Sequence, residues 1–178
     1  FRLAYWHDLR GNDEIALEML PLLPGQSHRE VTARLHALAA DAPMMPAVDL
    51  PLVLGQLRAL GLRIGLGTND SERAARAHLA AHQVDHLFDY IAGADSGHGA
   101  KPGSGMLRAF AQQFGLTPAR VAMVGDSRHD LIAGRAAGMV PVGVLTGIAE
   151  TRDLADLAEV VLPDIAALPG WIVARAGA

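Results

Sequence analysis

The sequence predicts an α/β fold, an open, doubly wound (Rossmann-like) parallel sheet preceded by an all-helical segment. Three observations predict it. From about Leu50 onward, short apolar runs rich in Val, Ile and Leu alternate with stretches of helical spacing, the order that builds a parallel sheet with helices on its faces. Most of the helical stretches stop at a glycine (Gly61, Gly115, Gly138), the residue that most readily takes up the left-handed conformation of a C-terminal cap. Residues 1–45 carry apolar positions at helical spacing only, with no strand-like run.

The elements follow in order. Residues 51–60 have helical spacing and end at Gly61, and residues 62–66 form an apolar run suited to a buried parallel strand. Residues 71–82, rich in Ala and Arg, predict a helix capped by Asn69, Asp70 or Ser71. Residues 90–93 make a weaker strand. Residues 103–114 then place Met106, Leu107, Phe110, Ala111 and Phe114 on one helical face. After Gly115, Thr117-Pro118 predicts a new turn with an N-cap and Pro at the first position. Residues 121–124 are the clearest strand and run into Gly125-Asp126. Residues 131–137 predict a helix, and residues 140–145 and 159–162 two further strands. Upstream, Ile15, Leu17, Met19 and Leu20, then Val31, Leu35 and Leu38, predict helices broken at Pro21, Pro24 and Gly25, with Pro43 and Pro46 marking the handover to the α/β part. The expected division is therefore 1–45 and 46–178, the first a lid or a packing module.

Composition narrows the function classes. The chain has 178 residues, 51% hydrophobic and 19% charged, enough apolar material for one ordinary core. A net charge of -4 with no Lys/Arg cluster argues against nucleic acid as a partner. The absence of cysteine excludes disulfides, thiolate metal sites and Cys nucleophiles, and fits a cytoplasmic location. No apolar run approaches the ~20 residues that span a bilayer, so no membrane association is expected. No exposed apolar stripe indicates an oligomeric state.

Open parallel sheets place their sites at the carboxyl ends of the strands. There stand Thr68-Asn69-Asp70, the Gly-rich loop Gly97-His98-Gly99-Ala100-Lys101-Pro102, and Asp126-Ser127-Arg128-His129-Asp130. Thr68 and Asn69 offer a hydroxyl and N–H groups at a helix N-terminus, a cradle suited to phosphate or to ordinary capping. Lys101 supplies a positive charge. Asp126 and Asp130, four residues apart, would face one crevice and call for a balancing cation; magnesium, an oxygen-loving ion that keeps several waters, suits one direct carboxylate and one acting through water. Alternatively, Asp130 caps its helix and Asp126 closes a turn.

A strand ending in Thr68-Asn69, then Lys101-Pro102, then Val-Gly-Asp-Ser-Arg-His-Asp-Leu followed by Ala-Gly-Arg-Ala-Ala-Gly-Met (124–139), resembles the second, third and fourth motifs of the haloacid dehalogenase superfamily, in its phosphoglycolate phosphatase-like branch. The resemblance covers about residues 45–178, and residues 1–45 are similar to the later helices of that branch's cap. It implies a magnesium-dependent phosphatase for a small phosphorylated metabolite, working through an aspartyl-phosphate. By position, Thr68 would bind the phosphoryl group with help from Asn69, and Lys101 would neutralise phosphate and nucleophile. Asp126 would coordinate Mg2+, and Asp130 would hold the water shell of the ion. A phosphomutase and a non-catalytic phosphate-binding relative are the alternatives.

One part of the family pattern is missing. The nucleophile and the general acid lie in a D-x-D-x-[TV] motif after a central first strand, and none of the upstream aspartates, Asp8, Asp13 and Asp49 among them, has that spacing. The nucleophile is therefore expected ahead of Phe1, the chain alone is expected to be inactive, and a sheet without that strand would expose two inner edges. Gly65-Leu66-Gly67 lacks the third glycine of a dinucleotide fingerprint, which rejects that reading. His78, His82 and His86 recur every fourth residue, but nothing specifies a further zinc ligand, and a solvated helix face is the simpler reading. His98 and His129 stand close enough in sequence to reach a substrate.

Overall fold

The computed structural model describes residues 12–41 and 45–176; the sequence readings for residues 1–11 and 42–44 lie outside these. Two helices, α1 (Asn12–Met19) and α2 (His28–Asp41), come first and pack on each other. A short 3-10 turn at Leu20–Leu22 follows α1, and Gly25, at φ 86°, turns the chain into α2. Helix α3 (Leu50–Ala59) is capped by Asp49, whose carboxylate accepts the Leu52 amide, with Pro51 in its first turn. The strands are β1 (Gly65–Gly67), β2 (Tyr90–Ala92), β3 (Ala122–Gly125), β4 (Val140–Val144) and β5 (Val160–Leu162), and between and after them stand α4 (Glu72–Ala81), α5 (Gly105–Gln113), α6 (Arg128–Ala136), α7 (Thr151–Leu154) and α8 (Leu168–Ala176). The α/β class expected from the alternation is the one observed.

All described strand pairs are parallel, but they fall into two groups, β1 with β2 and β3 with β4 and β5. The two groups share one core: Leu66 of β1 joins Val142 and Val144 of β4 in a cluster with Leu54 of α3, Leu79 of α4 and Leu168 of α8. On the opposite face, Leu107 and Ala111 of α5 pack with Met123 of β3 and Ala133 of α6. Helices thus cover both faces. The alternation of side chains along a strand explains the glycines in β1: Leu66 turns into one core, while a Cβ on Gly65 would come within 2.8 Å of the Phe110 ring on the other face. The Gly65-Leu66-Gly67 pattern serves the close approach of α5.

The boundaries depart from expectation in instructive places. Strand β1 begins at Gly65 rather than Leu62, because Asp89 occupies the preceding backbone: its carboxylate accepts the Ile64 amide at 2.9 Å and its own amide donates to the Ile64 carbonyl at 2.8 Å. Arg58 and Arg63 also pair with Asp89 and hold its carboxyl down at about 2 against the opposing effect of burial. Helix α6 starts three residues earlier than the apolar spacing indicates, because Ser127 and Asp130 form a capping box. Thr117 precedes the 3-10 turn at Pro118–Arg120 but makes no side-chain cap bond. The sequence pattern did not single out α7 or α8; α8 begins Leu-Pro-Gly, a poor helix opening by propensity, and is held by Leu168, Trp171 and Ile172 packing on the main core.

Candidate functional site

Three loops at the carboxyl ends of β1, β2 and β3 bring the predicted residues together. The first is the turn from β1 to α4. Thr68 extends the ladder by donating its amide to the Ala92 carbonyl at 3.0 Å, and its hydroxyl oxygen accepts the Asp70 amide at 3.1 Å. That acceptance leaves the hydroxyl proton to be donated elsewhere. Of the three residues that could cap α4, Ser71 does so, accepting the Ala74 amide at 3.2 Å.

The second loop, between β2 and α5, carries Lys101. It is tied to the first by a chain of bonds: Ser96 donates to Glu72 at 2.6 Å, the Gly93 amide donates to Ser96, and the Glu72 amide donates to Asp95 at 2.7 Å. The Ser96 hydroxyl, together with Arg76, holds the Glu72 carboxyl below the usual range. At Gly93 the backbones meet so closely that a Cβ would lie 2.1 Å from the Glu72 nitrogen. Asn69 closes the join: its amide nitrogen donates to the Lys101 carbonyl at 3.0 Å, and the Lys101 amide donates to its oxygen at 2.8 Å.

The third loop leads from β3 into α6. The Lys101 ammonium reaches across to it, donating to the Gly67 carbonyl at 2.8 Å and pairing with Asp130 at 2.6 Å. One side chain therefore bridges the two strand groups. Asp130 is buried, and its other oxygen accepts the Ser127 hydroxyl at 2.8 Å. Burial alone would raise its pKa; the Lys101 ammonium and the Ser127 hydroxyl outweigh that and bring it down to about 2. Asp130 caps its helix, as one of the two sequence readings expects, and in addition pairs with Lys101 across the loops. The counter-charge expected from a metal comes, for Asp130, from Lys101.

Asp126 follows β3 directly, and the loop after β4 presses on it. A Cβ on Gly147 would lie 2.8 Å from the Asp126 carboxyl carbon, so only glycine leaves the carboxylate in place. Sequence reading missed Gly147; its signal was a glycine just past the end of a central strand. A Cβ on Gly125 would likewise meet Asp130 at 2.2 Å. Arg128, in the middle of the motif, turns away and grips Asp156 with both terminal nitrogens at 2.6 and 2.8 Å.

The histidines separate. His98 is exposed on the loop and His129 half-buried on the first turn of α6. Helix α4 ends at Ala81, so His86 lies beyond it, and His78 is buried with no hydrogen-bond partner for Nε2. The three do not share one solvated helix face, because the helix stops before the third. Among the described residues no three His, Asp or Glu side chains gather as a metal site.

The donor set nonetheless fits a hard divalent cation in one respect. The Asp126 carboxylate, at a strand end against Gly147, can serve as the direct oxygen ligand, and Asp130, whose two oxygens are engaged by Lys101 and Ser127, suits contact through water.

Comparisons with known proteins show the family and the fold. The sequence model of a haloacid dehalogenase-like hydrolase family matches residues 5–138. The phosphoglycolate phosphatase of Neisseria meningitidis serogroup A is 36% identical over 120 residues, 67% of this chain and 48% of that protein. That of Escherichia coli K12 is 36% identical over 94 residues, 53% of this chain and 37% of that protein. The chain thus spans less than half the length of these relatives. Among solved structures, a predicted phosphoglycolate phosphatase from Haemophilus somnus superposes with a TM-score of 0.70 at 23% identity, covering 82% of this chain and 65% of that one. A haloacid dehalogenase-superfamily hydrolase from Geobacter sulfurreducens gives 0.66 at 20%, covering 92% and 74%. Both superpositions show the same fold.

Proposed function

Because the chain belongs to the haloacid dehalogenase-like hydrolase family, we propose that it forms the phosphate-binding part of a magnesium-dependent phosphatase for a small phosphorylated metabolite, of the phosphoglycolate phosphatase type. The observation that carries this reading is Lys101, held between Asp130 and the carbonyl of Gly67, the residue before Thr68. Two of the three ammonium protons are engaged, and the third, with the Thr68 hydroxyl proton, forms a donor pair for phosphoryl oxygens.

The division of the sheet suits the same reading. Strands β1 and β3 each pair on one side only among the described residues. A further parallel strand between them would complete the sheet and bring its own carboxyl end beside Thr68, Lys101 and Asp126. That strand is where the nucleophilic aspartate, expected ahead of Phe1, and the acid two residues later belong. In the reaction, the aspartate carboxylate attacks phosphorus, the ester P–O bond breaks, and the leaving oxygen takes a proton from the acid. Water then cleaves the aspartyl-phosphate. Thr68 and Lys101 donate to the oxygens on which charge accumulates, and Asp130 keeps the ammonium aimed. Asp126 and Asp130 would hold a Mg2+, which would supply positive charge for the transferred group. Helices α1 and α2, with α2 packed on α4, belong to a lid over the crevice.

The test is release of phosphate from 2-phosphoglycolate and p-nitrophenyl phosphate by the native protein, with magnesium and with EDTA. Magnesium-dependent release that Thr68→Ala and Lys101→Met each reduce by about a hundredfold or more supports the reading. Absence of release from either compound and from a panel of phosphorylated metabolites overturns it, and isomerisation of a sugar phosphate without release identifies a phosphomutase instead.

A further inference from the structure

We infer that Asn69 is a positioning residue that fixes the main chain of Lys101, so that its contribution to phosphate binding and turnover passes through the Lys101 ammonium. This rests on the phosphatase reading above and assigns within it a role that residue type and spacing leave open.

The geometry is reciprocal. Asn69 Nδ2 donates to the Lys101 carbonyl at 3.0 Å and Asn69 Oδ1 accepts the Lys101 amide at 2.8 Å. A side-chain amide carries one acceptor and one donor group on a rigid plane. Both groups of Asn69 bond a single peptide segment 32 residues away in sequence, which fixes the plane of the amide and leaves one Nδ2 proton. A side chain reaching for phosphate would instead turn its donor into the crevice. Of the residues flanking the crevice, Asn69 binds the Lys101 backbone, whereas Gly67 and Asp130 bind the far end of the same side chain.

Position explains why this clamp matters. Lysine has a long, flexible stem, and an ammonium placed only by its own partners drifts when those partners are shared with an incoming anion. The loop carrying Lys101 is glycine-rich, with Gly97 and Gly99 at φ 82° and 75°, and residues 97–100 are exposed. The loop therefore has little packing of its own to locate Lys101. The two bonds from Asn69 tie it to the end of β1, the same strand end that supplies Thr68 and the Gly67 carbonyl. The phosphate donors Thr68 and Lys101 are thereby built on one rigid frame, although their strands differ.

The experiment is a double-mutant cycle in the native protein with Asn69→Ala, Lys101→Ala and the double variant. Inorganic phosphate binding with magnesium is measured by calorimetry, p-nitrophenyl phosphate turnover is measured alongside, and thermal melts confirm folding. A group acting through Lys101 gives a non-additive cycle. The expected result is a loss of phosphate affinity of about tenfold in Asn69→Ala, and no further loss when it is added to Lys101→Ala. In turnover, Asn69→Ala lowers kcat as well as raising KM for p-nitrophenyl phosphate by up to about tenfold in step with the phosphate affinity, because a misplaced ammonium fails the transition state as well as the bound ester. Multiplying losses in the double variant, or a rise in KM at constant kcat, shows that Asn69 touches the phosphate itself and overturns the inference. An unchanged Asn69→Ala overturns it too. Should that variant fail to fold, Asn69→Ser, which adds no charge beside the phosphate, carries the same cycle. Failure of the wild-type protein to bind phosphate or turn over the ester sinks the phosphatase reading and this inference with it, whereas wild-type turnover with an additive cycle sinks the role of Asn69 alone.

Discussion

Replacing Lys101 by Met keeps the aliphatic stem and removes the ammonium, and the consequences can be worked from its surroundings. The Asp130 side chain is 9% exposed and that of Lys101 13%, with nitrogen and oxygen 2.6 Å apart. The substitution leaves Asp130 with Ser127 alone and strips the Gly67 carbonyl of a donor. Breaking a buried pair by removing one partner costs about 3 to 5 kcal/mol; because the pair lines a crevice that water can enter, the lower end, about 3 kcal/mol, is expected. At an urea dependence of about 2 kcal/mol per molar, that is a fall of about 1.5 M in the unfolding midpoint at pH 7 with an unchanged slope. The sign of the pH dependence follows. In the wild type, Asp130 at about 2 contributes stability that is present above its unfolded value of 3.8 and lost as pH falls through about 2. In the variant, burial without Lys101 pushes the carboxyl upward, so acid neutralises it early and the gap between the two proteins narrows as pH drops from 7 to 4. Adding Asp130→Asn should recover about 2 kcal/mol, since no uncompensated charge remains. Urea titrations followed by circular dichroism measure all three proteins. A loss below about 1 kcal/mol for Lys101→Met, or a double variant no more stable than the single one, would refute the reasoning.

Gly93→Ala and Gly55→Ala should move stability in opposite directions. The first drives a Cβ into the Glu72 and Asp70 backbones and costs about 3 kcal/mol, while the second meets nothing within 4 Å at its exposed position on α3 and gains roughly 0.5 to 1 kcal/mol, both read from thermal melts. Asp89→Asn tests the junction of α3, β1 and β2. The depressed carboxyl, at about 2, contributes stability above pH 3.8 that is lost toward pH 2; with Arg58 and Arg63 at 37% and 55% exposure the contribution is screened to about 1 kcal/mol, so acid titrations of wild type and variant should converge below pH 3. Ser71→Ala removes the buried cap of α4 and should cost about 1 kcal/mol in urea, with Ser71→Asp recovering most of it.

The sequence by itself determined the fold class and the order of the elements, since apolar period and glycine stops are local signals. It also named the loops proposed to carry the chemistry: Thr68 and Asp126 stand just past strands, Lys101 and Asp130 lie further along the loop and the helix turn that follow strands, and the structure gathers these segments at one end of the sheet. Tertiary structure alone decided the rest. The start of β1 depends on Asp89, 25 residues away, taking the Ile64 amide; no local pattern encodes that. Helix α8 forms against its own propensity because the core needs its Leu and Trp. The pairing of Lys101 with Asp130, the clamp by Asn69 and the pressure of Gly147 on Asp126 join residues from separate loops. Spacing along the chain names such residues and their chemical types. It cannot say which of them touch, because contact across a sheet is set by where the strands pack and how closely the backbones approach.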